Sequence, residues 1–234
     1  FSALDSNSNI TITAASLNQD LTFTSAVASG NINITAGGSG SFTASVMEAK
    51  GGIEVSAFLG TGKSLSISSL SASAGNIGVT ITGGSGLATI GSAETHGGTF
   101  TFDTTASTEK TGSHTIEQIS ATAASIVMGL GDNTTVSLLS IGTGGLSVSS
   151  DASADITLGQ YTGAGSINVT QVGGGNFNFR SAYSSSTFTY NATGLASGGT
   201  LSFDEVISSS ADLTLNYGEG LIANLTASSD RKAS

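Results

Sequence analysis

The sequence predicts an all-β protein, a parallel β-helix (β-solenoid) of about ten coils with roughly 22–23 residues each. Three observations predict this fold: a composition that disfavours helices, apolar pairs that recur at a constant period, and a second set of apolar pairs that keeps a fixed offset. Of the 234 residues, 41 are Ser, 31 are Thr and 33 are Gly, and Pro is absent. Ser, Thr and Gly are weak helix formers. The absence of Pro suits strands that have a neighbour on both sides, because Pro would remove a ladder hydrogen bond.

The first strand of each predicted coil is a short alternation of apolar and small polar residues. Its first apolar position runs from Ile10 to Leu213 in nine steps, a mean period of about 22.6 residues. The apolar pairs are Ile10/Ile12, Ile32/Ile34, Ile53/Val55, Ile77/Val79, Phe100/Phe102, Ile126/Met128, Leu146/Val148, Ile167/Val169, Phe188/Tyr190 and Leu213/Leu215.

A Gly or Asn stands directly before many of these strands. These residue types accept a positive φ, so the sequence predicts tight corners there. The examples are Gly30-Asn31, Gly51-Gly52, Gly75-Asn76 and Gly144-Gly145.

A second strand follows in the same coil, and a further apolar or small residue comes three positions after its second apolar position. This offset predicts a bend and a short third strand before the next corner. The pairs are Leu21/Phe23, Leu65/Ile67, Val136/Leu138, Ile156/Leu158, Phe177/Phe179 and Leu201/Phe203. The offset residues are Ala26, Leu70, Ile141, Tyr161, Ala182 and Val206, with Ile90/Ala93 and Ile116/Ile119 in weaker coils.

An antiparallel sandwich is the alternative fold, because it too has many short strands at a spacing of about 11 residues. A sandwich does not require the offsets to repeat in pairs. In a solenoid the same pattern stacks like side chains on like, with backbone pairing to the coils above and below. We therefore favour a single solenoid domain over residues 1–234, and we expect it to be a segment of a longer or processed chain, since Phe1–Ile10 has no signal-peptide pattern.

Charge and hydropathy exclude some partners. The formal net charge is −10 and only six residues are Lys or Arg, too few for the basic face that nucleic acid requires. Attraction to an anionic membrane surface is disfavoured for the same reason. No stretch approaches about 18 consecutive apolar residues, so no membrane insertion is expected.

Stretches such as Asn9–Ala14 and Gly30–Gly38 resemble the repeats of large bacterial surface β-solenoids. The resemblance covers about residues 9–226. The proteins with similar repeats are the filamentous-haemagglutinin-like and autotransporter adhesins and the Gly/Thr/Ala-rich surface-layer proteins of some proteobacteria. The resemblance implies an extracellular structural or adhesive part.

Calcium is the first candidate ligand. The segment Gly129–Thr134 partly resembles a calcium-binding Gly-rich repeat, but it lacks the paired Gly and a second such turn. Two further candidates are similarly weak, namely Asp204 with Glu205 and Asp151 with Asp155. Solvated turns explain all three better, so no cofactor is expected beyond a weak case for calcium.

Catalytic patterns are sparse, and no enzyme is expected. Without Cys there is no thiol site, and neither His96 nor His114 has a partner at metal-ligand spacing. No Gly-x-Ser-x-Gly elbow leads into a helix. Asp103 with Glu117, or Asp204 with Glu205, could serve as the paired carboxylates of a glycoside hydrolase.

Sugar-binding clefts also carry exposed aromatic side chains, and here Trp is absent. Most aromatic residues occupy predicted inward positions, namely Phe23, Phe102, Phe179 and Phe203, whereas Arg180 is expected to point outward.

Six Asn-x-Ser/Thr sequons occur, which fit either surface glycosylation or a strand with polar residues outside, and the second interpretation is favoured. They begin at Asn9, Asn33, Asn133, Asn168, Asn191 and Asn224.

The predicted function is an extracellular structural scaffold of a bacterial cell surface: a surface layer, a fibre or an adhesin stalk. Its expected partners are identical copies in a filament or lattice. One alternative is an adhesin or phage-fibre segment that binds a host or cell-surface glycan, or a protein, through solenoid faces or side loops. The irregular stretch Thr104–Ser113 is the first candidate loop. A polysaccharide-degrading β-helix enzyme is a third hypothesis.

Overall fold

The protein is an all-β parallel β-solenoid, as the sequence predicted, and every strand pairing is parallel. The computed structural model describes residues 2–14, 20–38, 40–83, 85–105, 112–129, 131–151, 153–192, 199–204, 207–209, 211–217 and 222–225. Twenty strands and no helix occur in these ranges.

The first face of the solenoid consists of strands that stack directly on one another. They are β2 (Ile10–Ala14), β4 (Ile32–Ala36), β6 (Ile53–Phe58), β8 (Ile77–Gly83), β10 (Thr99–Asp103), the second halves of β11 (Ser113–Met128) and β12 (Asn133–Ser150), β14 (Ile167–Gln171), β16 (Phe188–Ala192) and β19 (Leu213–Tyr217).

The remaining strands form the second face and, after a bend, the third. They are β1 (Ala3–Ser6), β3 (Leu21–Ala28), β5 (Phe42–Ala49), β7 (Ser64–Ala72), β9 (Leu87–Thr95), the first halves of β11 and β12, β13 (Asp155–Gly163), β15 (Phe177–Ser184), β17 (Thr200–Phe203), β18 (Ile207–Ser209) and β20 (Ile222–Leu225).

The register on the first face confirms the predicted period. One inward column passes through ten levels, each paired with the next: Ile10, Ile32, Ile53, Ile77, Phe100, Ala124, Leu146, Ile167, Phe188 and Leu213.

The bend between the second and third faces confirms the predicted offset of three. In β3 the buried residues are Leu21, Phe23, Ala26 and Ala28, so the alternation skips one position after Phe23. β5 and β15 show the same burial pattern apart from partly exposed positions. Inward side chains before and after the bend therefore share one core. The offset residue Val206 lies outside the described residues.

Aromatic rings fill the core at the C-terminal levels. Phe177 lies 5.4 Å from Tyr190, Phe179 lies 5.9 Å from Phe188, and Phe188 lies 5.7 Å from Phe203, measured between ring centroids. The predicted inward positions Phe23, Phe102, Phe179 and Phe203 are all buried. Arg180 is exposed, as predicted.

Two strand assignments in the middle of the chain were wrong in register. The first-face pair that stacks on Phe100/Phe102 is Ala124/Ile126, not Ile126/Met128. In β12 the second inward position is Val136 and the residue after the bend is Leu139.

Leu138, which was predicted to follow Val136 as the next inward residue of this strand, is 37% exposed. In both coils a small or polar side chain occupies an inward position, Ala124 in one and Thr134 in the other, so the apolar pattern appears shifted by two residues.

The corner glycines have a different role from the predicted one. Among those at the predicted corners, only Gly145 has a positive φ, of 81°. Gly30 and Gly51 are required because a Cβ there would overlap the side-chain oxygen of the Asn one turn earlier, Asn9 and Asn31 respectively. These corners are therefore close-packed positions in which one coil's Asn reaches the next coil's backbone.

Candidate functional site

The carboxylates proposed for calcium make separate structural contacts. Asp155 Oδ1 accepts a hydrogen bond from Asn176 N–H at 2.7 Å, one turn further along. Asp204 Oδ1 accepts from Ser202 Oγ at 3.2 Å, and Asp151 is exposed. Glu205 lies outside the described residues. These contacts cap neighbouring backbone or side-chain donors and do not form a shared cation cage.

The proposed catalytic pair is not brought together. Asp103 ends β10, where its register neighbours are Thr80 and Val127, and its Oδ1 accepts from Thr105 N–H at 2.8 Å. Glu117 is exposed on the second face, in the half of β11 that stacks on β9. The register therefore places the two carboxylates on different faces.

The two histidines lie in opposite environments. The His96 side chain is 61% exposed, and its Nε2 lies 3.3 Å from Glu94 Oε1. The His114 side chain is 1% exposed and lies inside the solenoid. Only the second is a candidate for chemistry that depends on exclusion of water.

His114 and Asp132, the Asp of the predicted calcium segment, form a buried pair. His114 is the second residue of β11 and faces inward, and Asp132 lies in the corner directly before β12. The His114 Nε2 to Asp132 Oδ2 distance is 3.8 Å, and both side chains are 1% exposed. The pair is brought together because Gly112 and Asp132 are one 20-residue turn apart, and Gly112 N–H donates to Asp132 Oδ1 at 3.0 Å.

Several polar atoms at this pair have no hydrogen-bond partner. They are both ring nitrogens of His114 and Oδ2 of Asp132. Each such buried group costs about 1–3 kcal/mol when it is left unsatisfied. The arrangement is thus a destabilising feature unless a ligand, an ion or a proton completes it.

The neighbouring levels are also polar. Thr134 stacks on His114 in register, and its hydroxyl donates to Met128 Sδ at 3.0 Å. Thr104 Oγ1 accepts from Gly129 N–H at 2.7 Å. Ser150, which stacks on Met128, is buried with an unpartnered hydroxyl. Polar side chains therefore interrupt the apolar core at these levels.

Within the ranges that the structure describes, no group of three or more His, Asp or Glu side chains could together hold a metal ion. The segment Gly129–Thr134 offers one carboxylate, whereas calcium takes 6–8 oxygen ligands. The pairing of His114 with Asp132 was not predicted from the sequence, because the two residues are not at metal-ligand spacing along the chain and meet only through the stacking of successive turns. The corner glycines Gly112 and Gly131, 19 residues apart in the sequence, were the available signal.

The two ends of the described stack form a second candidate surface. At one end Leu4 and Ile12 are only partly buried, although Ile34, the next residue of the Ile12 column, is 2% exposed. At the other end Leu213 is 52% exposed, and Phe188 beneath it is 0% exposed. Apolar side chains at the outermost described levels are therefore partly exposed, most of all Leu213, whereas Ile10 in the same column is 8% exposed.

The sequons divide by exposure. Asn33 and Asn168 are exposed on the first face. Asn9 and Asn133 are also exposed, and their Oδ1 atoms accept hydrogen bonds from Asn31 N–H and Asp155 N–H in the next turn. Asn191 is partly buried, and the side chain of Asn224 lies outside the described part of the chain. Glycosylation therefore remains a prediction only.

Comparisons with family models, curated proteins and solved structures found no match. None of the described residues belongs to a helix long and apolar enough to cross a membrane.

Proposed function

We propose that this chain is an extracellular structural rod of a bacterial cell surface, which stacks end to end with identical copies. The observation that carries the proposal is the inward apolar column, which is continuous through ten described levels, from Ile10 at 8% exposure to Leu213 at 52% exposure. The surface-layer, fibre and adhesin-stalk assignments all share this mechanical role.

The ends are chemically complementary. Ile10 and Leu213 belong to the same column, so a copy placed after the Leu213 level continues an apolar stack. Burial of apolar surface contributes about 25 cal/mol per Å². An open strand edge also presents backbone groups that a further strand can pair.

The orientation of β2 indicates which groups are free for this pairing. Ile10 N–H donates to Asn31 O of the neighbouring turn at 2.9 Å. Because alternate residues of a parallel strand point to opposite neighbours, the N–H groups of Thr11 and Thr13 face the open edge.

Charge favours stacking over lateral association. The net charge is −10, and Glu48, Glu54, Glu94 and Glu117 are distributed along the sides of the described stack. Long sides of like charge repel each other over about 10 Å at 0.1 M salt. End-to-end contact brings fewer of these charges together.

The test compares filament formation by the wild type and by Thr13→Pro, with Thr13→Ser as the matched control. Pro removes one open-edge donor without touching the β2–β4 ladder. We expect concentration-dependent filaments, seen by electron microscopy and sedimentation, for the wild type and Thr13→Ser, and shorter or absent filaments for Thr13→Pro. A monodisperse wild-type monomer at all concentrations, or equal filaments for both variants, would contradict the proposal.

A further inference from the structure

We propose that His114 and Asp132 form a buried binding site for a divalent transition-metal ion of the zinc class. The inference is independent of the structural role proposed above. It rests on the position, burial and missing partners of these two side chains.

Both candidate ligands are oriented before an ion binds. Gly112 N–H holds Asp132 Oδ1 at 3.0 Å, which leaves Oδ2 directed at His114. The His114 ring packs edge-on against Phe102, with centroids 5.4 Å apart and planes at 66°. Metal-ligating carboxylates commonly accept such an additional hydrogen bond, which fixes their direction.

The separation of the two free atoms suits a shared ion. His114 Nε2 and Asp132 Oδ2 are 3.8 Å apart, which is too long for a hydrogen bond. With bonds of about 2.0–2.1 Å, two ligands of one zinc ion lie roughly 3.3 Å apart at the tetrahedral angle and at most about 4.2 Å apart. A single ion between the two atoms therefore satisfies both.

The ligand types select the class of metal. An imidazole nitrogen with one carboxylate oxygen suits zinc, cobalt, nickel or copper, whereas calcium and magnesium prefer oxygen ligands. Two protein ligands leave further coordination positions for water.

The site is enclosed, so an ion has to enter during folding or local opening. Both side chains are 1% exposed. The experiment therefore unfolds and refolds the full chain with zinc, removes free metal by dialysis, and measures bound metal by atomic absorption. Parallel arms use calcium and magnesium in place of zinc.

Three variants localise the ion. His114→Gln and Asp132→Asn each remove one ligand with little change in volume, and His96→Gln removes the exposed histidine as the matched control. We expect about one equivalent of zinc in the wild type and in His96→Gln, and loss of most of it in the other two. Zinc should also raise the melting temperature of the wild type but not that of the two site variants.

Three results of the refolding experiment would overturn the site. One is a wild type that retains no zinc after refolding. Another is a His114→Gln variant that retains as much zinc as the wild type. Retention of calcium or magnesium in equal amount would also overturn it, because those ions do not require the imidazole.

A measurement on the wild type alone covers the case in which the site variants fail to fold. X-ray absorption of the zinc-loaded protein should show imidazole scattering together with first-shell oxygen. A shell without imidazole would contradict the proposal.

Discussion

Asn31 Oδ1 accepts a hydrogen bond from the backbone N–H of Gly52, one turn further along the chain, at 2.8 Å. The same contact occurs one turn earlier, where Asn9 Oδ1 accepts from Asn31 N–H at 2.8 Å. The corner of each of these coils is thus tied to the next by a side chain. This contact explains why Gly51, whose Cβ would overlap Asn31 Oδ1, lacks a side chain.

The Asn31 contact predicts that Asn31→Ala and Gly51→Ala have coupled effects on the free energy of unfolding. Asn31→Ala should lower the free energy of unfolding by about 1 kcal/mol through the lost hydrogen bond. Gly51→Ala should cost about 1–3 kcal/mol in the wild type, because the new methyl group meets Asn31 Oδ1. In the Asn31→Ala background the same substitution should cost less. Denaturant unfolding of the four proteins of this double-mutant cycle measures the coupling.

Gly60→Ala is the control for the cycle. Its new Cβ would meet only Lys63 Cγ, at 4.0 Å, and φ at Gly60 is not positive. We expect a change of less than about 1 kcal/mol, of either sign. Additive costs for Asn31→Ala and Gly51→Ala would show that the side-chain contact is not the reason for the glycine.

Two aromatic residues of β15 provide a test of the inward column. Phe179 is 0% exposed and Tyr183 is 66% exposed, although both lie in the same strand. Phe179→Ala should lower the free energy of unfolding by about 3–5 kcal/mol. Tyr183→Ala should change it by less than about 0.5 kcal/mol. Equal effects in thermal or denaturant unfolding would contradict the register of this strand.

Alkaline pH should destabilise the fold through two buried tyrosines of the C-terminal half. Burial raises the pKa of both Tyr161 and Tyr190 from 10.0 to about 12. In the unfolded chain these phenols ionise near pH 10, while in the folded chain they stay neutral. Stability is therefore fully present below pH 10 and is lost as the pH rises from 10 towards about 12.

The pH dependence of denaturant unfolding measures this loss. In a Tyr161→Phe, Tyr190→Phe variant, the free energy of unfolding should decline less steeply over the same pH range. The quantity to compare between the variant and the wild type is the slope of this decline. The absolute stability also changes, because Tyr190 Oη donates to Gln171 Oε1 at 2.7 Å. An identical slope in the variant would contradict the assignment.

The repeat could be predicted from sequence because most inward positions carry large apolar residues. Ile32, Ile53 and Ile77 recur in one column with Gly or Asn before each. The period and the offset of three follow from such residues without knowledge of the fold's cross-section.

The predicted register was wrong where the side chains at inward positions are small or polar. Ala124 and Thr134 give no apolar signal, so the pattern appeared to begin two residues later. The His114–Asp132 pair lies among these same coils, and for the same reason it could not be found by apolar periodicity. A contact between residues one turn apart becomes visible only when the register is known.

The central claim is that successive turns stack in parallel, with one level per turn. Because the chain has no Cys, pairs of introduced cysteines can be spin-labelled without background. Asn33 and Ser147 are exposed on the first face five levels apart, and Thr11 and Asn168 are seven levels apart. Distances between the labels should be about 24 Å and about 34 Å, in proportion to the number of levels at ~4.8 Å each. Distances that do not increase with the number of levels would contradict the solenoid.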